Sequence, residues 1–341
     1  MKAVGFTQYL PIDDPQALRD LDVAHPGAPQ GHDVLVRVEA VSVNPVDTKL
    51  RGPKPGELSQ PRVLGFDAAG VVEAIGPQVT TFEVGDEVYY AGDVTRPGSN
   101  AQYQLVDERV VAHKPTTLDF AQAAAMPLTT LTAWELLFQR MPYQLDGNRQ
   151  QGRQLLVIGG AGGVGSIAIQ LARHAGFTVI ATASRPASAQ WCQQMGAHHV
   201  IDHAQPLAPQ LAALGIEQVD AAINLADTDR YWSQLGELLA PQGHVGLIVE
   251  PRGELRIGDP YKAKCISIHW EFMFARARFG TADLVEQHRI LARAASLIDA
   301  GQLRSTLTQT LGPINADTLR HAHRLLEGGS TIGKLALSGW T

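Results

Sequence analysis

The run LLVIGGAGGVGSIAIQLARHAG, starting at Leu155, sets Gly160, Gly162 and Gly165 at G-x-G-x-x-G spacing between an apolar stretch and an amphipathic one. Each glycine has a physical task in such a place. The first permits a tight turn, the second lets the backbone approach a pyrophosphate, and the third lets a helix pack closely on the strand before it. The helix N-terminus then offers N–H groups and a positive dipole to phosphate. A glycine triplet alone is common, but a strand before it, a helix after it and further βα units beyond it favour a dinucleotide site. The next apolar stretch ends in ATASRP, with Ser184 and Arg185 where an Asp or Glu would pair with a ribose 2′-hydroxyl. A carboxylate there would repel a 2′-phosphate, whereas Ser184 can donate a hydrogen bond to it and Arg185 can pair with it. A single loop arginine is more simply a solvated surface charge; the missing acid and the present base together predict NADPH.

Those residues need a scaffold that brings strand ends and helix starts together. From Gln154 onward QLLVIG, FTVIATA, HHVID, QVDAAINLA, GHVGLIV and KCISIHWEF read as strands, and GSIAIQLARHAG, SAQWCQQMGA and DRYWSQLGELLA as helices between them. Continuous apolar strands joined by amphipathic helices predict an α/β fold with a doubly wound parallel sheet covered on both faces. Before Pro127 the pattern differs. DVLVRVEAVSV, AAGVVEAIG, GDEVYYAG and AQYQLVDERVVAHKP, parted by Gly, Pro and Asp turns, predict an irregular, mainly antiparallel β domain. PLTTLTAWELLF is a helix-like bridge between the two. The tail reads as a long helix (TADLVEQHRILARAASLIDAG), a strand near RSTLTQTLG, a helix (NADTLRHAHRLLEGG) and a last strand, IGKLALSG, which together return to complete the first domain. The expected division is residues 1–127 with 272–341, and residues 128–271.

A chain of 341 residues exceeds what one compact domain usually needs. Its net charge of -6 leaves no basic footprint for nucleic acid or an anionic membrane. No run reaches the length of a membrane span, and the start, MKAVGFTQYLPIDDP, reads as a strand and a turn. Cys192 and Cys265 read as separate, buried, apolar-like residues rather than a disulfide or a metal pair. The expectation is a soluble, cytoplasmic protein.

In chain order, VSVNPVD (residues 41–47), LGFDAAGVVEAIG (64–76), FEVGDEVY (82–89), MPLTTLTAWELL (126–137) and the glycine loop resemble the medium-chain dehydrogenase/reductase superfamily over essentially the whole chain. Within it the chain looks like the quinone oxidoreductase branch. Through SRPASAQWCQQMGAHHVIDH and SIHWEFMF it is more closely similar to the group of zinc-type alcohol dehydrogenase-like proteins. The resemblance implies an N-terminal GroES-like β domain, a Rossmann cofactor domain, and an active site in the cleft between them. It also implies a homodimer that pairs the last Rossmann strands, here CISIHWEF. The cofactor-binding set expected on this basis is Gly160, Gly162, Gly163, Val164, Gly165, Ser184, Arg185, His203, Leu247 and Lys334.

The zinc of that group's name finds no ligands. Zinc-dependent relatives hold a catalytic zinc on two thiolates and a histidine, with an open position for substrate oxygen. The matching positions are Asn44, Phe66 and Leu128, and Val46 replaces the hydroxyl that would relay an alcohol's proton. The structural zinc lobe has no cysteines either. His321 and His323 lie two apart on one helix and do not face one site, and the other histidines read as surface or strand-end residues. A reductase without a Lewis acid needs a substrate already polarised for hydride attack, such as a quinone or an α,β-unsaturated carbonyl. Catalysis then reduces to orientation, exclusion of water and hydrogen bonds to a developing oxyanion. The expected catalytic residues are Asn44 as the cleft donor, with Lys49 and Thr132 beside it. Asn44 is also a natural turn-former before Pro45, Lys49 an ordinary surface lysine and Thr132 a helix-interior residue. Phe66 and Trp270 are expected to line the substrate cleft. Two rivals stand beside a zinc-independent NADPH-dependent oxidoreductase: an alcohol or aldehyde dehydrogenase, and a nucleotide-binding or redox-sensing protein without turnover.

Overall fold

The computed structural model describes residues 1–341, which divide into two compact units, 1–131 with 274–341, and 132–273. The first unit begins with β1 (Lys2–Gln8), β2 (Arg19–Asp22), β3 (Asp33–Ser42), α1 (Pro45–Arg51), β4 (Glu57–Val63), β5 (Ala68–Ile75), β6 (Glu87–Tyr90), β7 (Tyr103–Asp107), β8 (Val111–His113) and α2 (Phe120–Ala124). The run AQYQLVDERVVAHKP is not one strand: a 3-10 turn at Glu108–Val110 separates β7 from β8. β4 had no sequence signal, since ELSQPRV carries a proline and an exposed polar face. α3 (Pro127–Glu135) leads into the second unit and ends in a π-helical turn, Leu136–Arg140.

The second unit contains β9 (Gln154–Ile158), α4 (Gly163–His174), β10 (Thr178–Thr182), α5 (Pro186–Gln194), β11 (His199–Ile201), α6 (Leu207–Ala213), β12 (Val219–Asn224), α7 (Thr228–Leu238), β13 (Leu239–Leu247) and β14 (Ser267–Trp270). All six strands are parallel, in the order β11-β10-β9-β12-β13-β14. That is the doubly wound Rossmann order, whose direction reverses between β9 and β12 and leaves a ligand crevice at the strands' carboxyl ends. Leu155, Leu156 and Val157 of β9 have no exposed surface, as a strand covered on both faces requires.

The chain then returns to the first unit with α8 (Ala275–Phe279), α9 (Glu286–Asp299), β15 (Leu307–Thr310), α10 (Ala316–Glu327) and β16 (Lys334–Ser338). β16 pairs antiparallel with β3, Leu337 opposite Val41, inside the mainly antiparallel sheet β15-β16-β3-β5-β6-β8, with β7 also on β3. β2-β1-β4 forms a small second sheet. The fold class is therefore a GroES-like β unit plus a Rossmann sheet.

One cysteine departs from expectation. Cys192 is buried, but Cys265 is exposed, in a left-handed turn (φ 52°) just before β14. Beside it the Lys264 ammonium donates to the carbonyls of Gly236, Glu237 and Leu239 at the end of α7. No helix is long and apolar enough to cross a membrane.

Candidate functional site

In the second unit the glycine loop joins the carboxyl end of β9 to α4. The tight turn falls one residue earlier than the spacing suggests: Gly159 has φ 83°, a conformation that favours glycine. A Cβ on Gly160 would lie 2.8 Å from Ala181 Cβ and 3.1 Å from Cys192 Sγ, so Gly160 serves close packing. A Cβ on Gly165 would lie 2.4 Å from the Gly159 carbonyl and 2.6 Å from that of Gly160. Gly162, the N-cap of α4, is different, for its Cβ would meet only the Gly159 carbonyl, at 3.5 Å. There the backbone is bare, and Gly163, Val164 and Gly165 follow as the first residues of α4, whose amides have no carbonyl one turn back to bond. A bare backbone against a 12-residue helix start is a cradle for a pyrophosphate.

Thr182, the last residue of β10, ties this loop to the next strand through its hydroxyl, which accepts from Gly159 N at 3.1 Å, and its carbonyl, which accepts from Gly160 N at 3.2 Å. Ser184 and Arg185 follow and are exposed. The signal that sets Arg185 in place is PAS after it: Pro186 opens α5, and the Ser188 hydroxyl accepts from Arg185 N (3.2 Å) and donates to Arg185 O (2.8 Å). His203 follows β11 and is half-buried. The Gly loop, Ser184, Arg185 and His203 thus gather at the carboxyl ends of β9, β10 and β11. Leu247 ends β13, fully buried, opposite Trp270 at the end of β14. Thr132 is buried on α3.

One turn beyond Thr132 lies a cluster that sequence reading missed. The π-helical turn widens the spacing to five residues and brings Arg140 onto Glu135 (Nη2 to Oε2, 3.0 Å). Arg140 Nε also donates to Glu271 Oε2 at 2.8 Å. Glu271 N donates to the Leu247 carbonyl at 2.9 Å. Two buried carboxyl groups therefore share one guanidinium. Burial, and then Glu135, push the Glu271 carboxyl up to about 8 against the pull of Arg140.

In the first unit the positions matched to zinc ligands converge on Asp67, a carboxylate with no exposed surface. Asp67 Oδ1 accepts from Leu128 N at 2.7 Å, and Oδ2 accepts from Asn44 Nδ2 at 2.8 Å and from the Lys334 ammonium at 2.9 Å. Lys334 also donates to Asn44 Oδ1 (2.5 Å) and to the Val43 carbonyl (2.8 Å), so all three of its donors are used. The second amide hydrogen of Asn44 goes to the Phe66 carbonyl at 3.3 Å. With both hydrogens engaged, Asn44 in this arrangement has none to offer a substrate oxyanion. Asp47, also buried, accepts from Asn44 N at 2.8 Å and fixes the start of α1; burial pushes its carboxyl up to about 7. Burial likewise raises the Asp67 carboxyl, while Lys334, Asn44 and Leu128 pull it back. Phe66 is buried edge-on against Phe274, ring centroids 5.2 Å apart, and Lys49 is exposed on α1.

These residues do not fit a catalytic zinc. An amide, a phenyl ring and an isobutyl group supply neither thiolate nor imidazole, and an ammonium already sits against the Asp67 carboxylate. No group of three or more His, Cys, Asp or Glu side chains in the chain is arranged so that it could hold a metal ion. The glycine cradle at the start of α4, by contrast, fits the pyrophosphate of a dinucleotide.

Comparison with known proteins gives the same frame. Residues 30–116 match the alcohol dehydrogenase GroES-like domain family and residues 195–337 the zinc-binding dehydrogenase family. A zinc-type alcohol dehydrogenase-like protein of Staphylococcus epidermidis is 40% identical over 340 residues, 99% of each chain. A quinone oxidoreductase of Lama guanicoe is 32% identical over 75% of each chain, and a 2-methylene-furan-3-one reductase of Solanum lycopersicum is 38% identical over 60% of this chain and 52% of its own. Among solved structures, a Rhizobium etli CFN 42 protein provisionally named a zinc-dependent alcohol dehydrogenase is 50% identical, with TM-score 0.93 over 100% of this chain and 98% of its own. A mycobacterial protein, Rv1454c, solved with NADPH, is 28% identical with TM-score 0.80 over 99% of this chain and 100% of its own.

Proposed function

The chain belongs to the medium-chain dehydrogenase/reductase superfamily, and from that premise we propose that it passes hydride from NADPH to a quinone or an α,β-unsaturated carbonyl without zinc. The observation that carries this reading is the pocket around Asp67. Where zinc-dependent relatives hold a divalent cation, this chain buries a lysine ammonium bonded to Asn44 and Asp67. An alcohol must lose its hydroxyl proton before it gives up hydride, and this pocket offers no thiolate or imidazole set for a metal, while its two carboxyl groups, Asp47 and Asp67, are buried away from solvent. A quinone or enone needs only hydride and, later, a proton. The sequence similarity to a quinone oxidoreductase and to a 2-methylene-furan-3-one reductase supports that choice.

The amides of Gly163, Val164 and Gly165 would bind the pyrophosphate, and Ser184 and Arg185 the 2′-phosphate. When bound, the dihydronicotinamide supplies the hydride. Thr132 would wall its ring, whereas the Leu247 side chain, expected there from the sequence, is packed into the buried core with Trp232, Leu235 and Tyr261, and the Glu271–Leu247 backbone bond fixes the end of β13. Asn44 acts by holding Lys334 and Asp67 together, which fixes the loop before α1 and keeps water from the pocket.

The same reading includes a homodimer. β14 is the edge of the parallel sheet, and Ile268 and Trp270 along it and Phe272 just beyond it are 37%, 48% and 43% exposed. An apolar edge strand with unpaired backbone groups is a template for another strand, and a two-fold copy would pair it with itself.

The test is NADPH consumption with a simple quinone, an enal and an enone, set against NADP⁺ reduction with primary alcohols. Turnover in the first set and almost none in the second is expected. Robust alcohol oxidation would overturn the assignment, and silence with every acceptor would favour a nucleotide-binding protein without turnover.

A further inference from the structure

The second unit has a cleft at the amino ends of β9, β12 and β13, the end of the sheet away from the glycine loop. It holds about 680 Å³, room for a small organic molecule. Tyr143 forms part of its wall, 5% exposed, with its ring edge-on to those of Phe177 and His244 at 4.8 and 5.6 Å between centroids. The Tyr143 hydroxyl is buried and meets no group at hydrogen-bonding geometry; burial pushes the phenol up to about 12, and Arg153 pulls it back. His244 Nδ1 lies 3.0 Å from His269 Nε2. Burial, with His269 and Arg153, holds the His244 imidazole below its ordinary value, so it is neutral at pH 7. Charge comes from the loop that leads into β9, where Arg149 and Arg153 line the cleft. Both are exposed, and neither guanidinium has a carboxylate within ion-pair distance; Arg153 lies over the Tyr143 ring, 5.9 Å from its centroid. Asp220 is the one acidic residue on the wall, and its Oδ2 is taken by the Gln154 amide at 2.7 Å. Two cations against one anion leave a positive cleft in a chain of net charge -6.

We propose that this cleft is a second binding site, for a small organic phosphate held by Arg149 and Arg153. A guanidinium presents a flat fork of N–H donors that matches a pair of oxygens on a phosphate, and a dianion with three such oxygens can engage two forks at once. A carboxylate, with two oxygens and one charge, satisfies one fork. A neutral ligand would leave both as they stand. The volume beyond the phosphate group takes the organic part, against the exposed Pro142 and Pro241. No residue of this cleft belongs to the glycine loop or to the loop between β10 and α5, so the site stands or falls independently of the NADPH reading.

The test uses the whole protein and phenyl phosphate, with benzoate as the carboxylate control, in titration calorimetry at fixed ionic strength near pH 7.5. There a phosphate monoester, with its second pKa about 6, is almost wholly dianionic. Phenyl phosphate should bind saturably and about tenfold more tightly than benzoate. Arg149→Ala and Arg153→Ala, both at exposed positions, should melt like the wild type and should each weaken phenyl phosphate about tenfold. Gly162→Ala, in the glycine loop, should leave that binding unchanged. Labelling of arginines with phenylglyoxal, read by peptide mass spectrometry, gives the location directly: phenyl phosphate should protect Arg149 and Arg153. Absence of saturable binding would overturn the proposal. So would binding that Gly162→Ala weakens and the arginine variants do not, which would place the phosphate in the glycine loop. Equal affinity for benzoate and phenyl phosphate would overturn it as well, by reducing the cleft to an unselective positive patch.

Discussion

Replacing Lys334 by methionine keeps most of the side-chain volume and removes only the charge, at a site where the lysine is 4% exposed and Asp67 not at all. The change strands the Asp67 carboxylate and takes a donor from Asn44 Oδ1 and the Val43 carbonyl. Breaking a buried pair by removing one partner costs about 3–5 kcal/mol, because a charge is left without compensation. Asp67 keeps the amides of Asn44 and Leu128, which places the loss near the lower end, at about 3 kcal/mol. Adding Asp67→Asn removes the stranded charge, so the double variant should recover roughly 2 kcal/mol relative to the sum of the two single losses. Hydrogen exchange of the amides that join β16 to β3 reads the first unit alone, since those strands pair directly beside the site. NADPH affinity, measured on the same three variants, separates two roles for Lys334. If the lysine also touches the cofactor, affinity stays low in the double variant although stability returns. A loss under about 1 kcal/mol in Lys334→Met, or a double variant as unstable as the sum, would refute a charged, interdependent pair.

The other expectations follow from individual contacts. Glu271 holds its proton up to about 8 when folded and gives it up at ordinary carboxylate values when unfolded, so its share of stability is full in acid and is lost as pH rises through that window. Melting curves should show the wild type falling relative to Glu271→Gln by about 2–4 kcal/mol between roughly pH 5 and 9; parallel profiles would count against a shared proton. Gly165→Ala should abolish folding of the second unit, its new Cβ lying 2.4 Å from a carbonyl oxygen. Gly162→Ala should stay within about 1 kcal/mol of the wild type yet lose NADPH affinity at least tenfold, as a fluorescence titration would show. Trp270→Glu on the exposed edge strand should turn a dimer into a monomer in light scattering, and an unchanged mass would place the interface elsewhere.

The second unit was legible because its physics is local. A strand covered on both faces must be a continuous apolar run, and QLLVI and TVIAT are such runs, so the parallel sheet could be read from single segments. Gly162 was legible for the same reason, while the tight turn at Gly159 and the packing duty of Gly160 were not, because they depend on Ala181 and Cys192 on other elements. The first unit hid its main feature. Asp67 stands inside GFDAAG, where a lone carboxylate in an apolar run is the only signal, and its partner Lys334 lies 267 residues away. Asn44 looked like a free donor because nothing in NPVD reveals that Phe66 and Asp67 take both its hydrogens. Arg140 reaches Glu135 only because the helix widens to a π turn, which no periodicity in LLFQR announces.

Zinc content and turnover measured on one sample test the central claim most directly. Protein purified without a metal-affinity tag and dialysed against a strong chelator should contain well below one equivalent of zinc and should still consume NADPH with a simple quinone at an undiminished rate. Loss of that activity with the chelator, and its return on adding zinc, would contradict a reductase whose pocket holds an ammonium in the place of a metal.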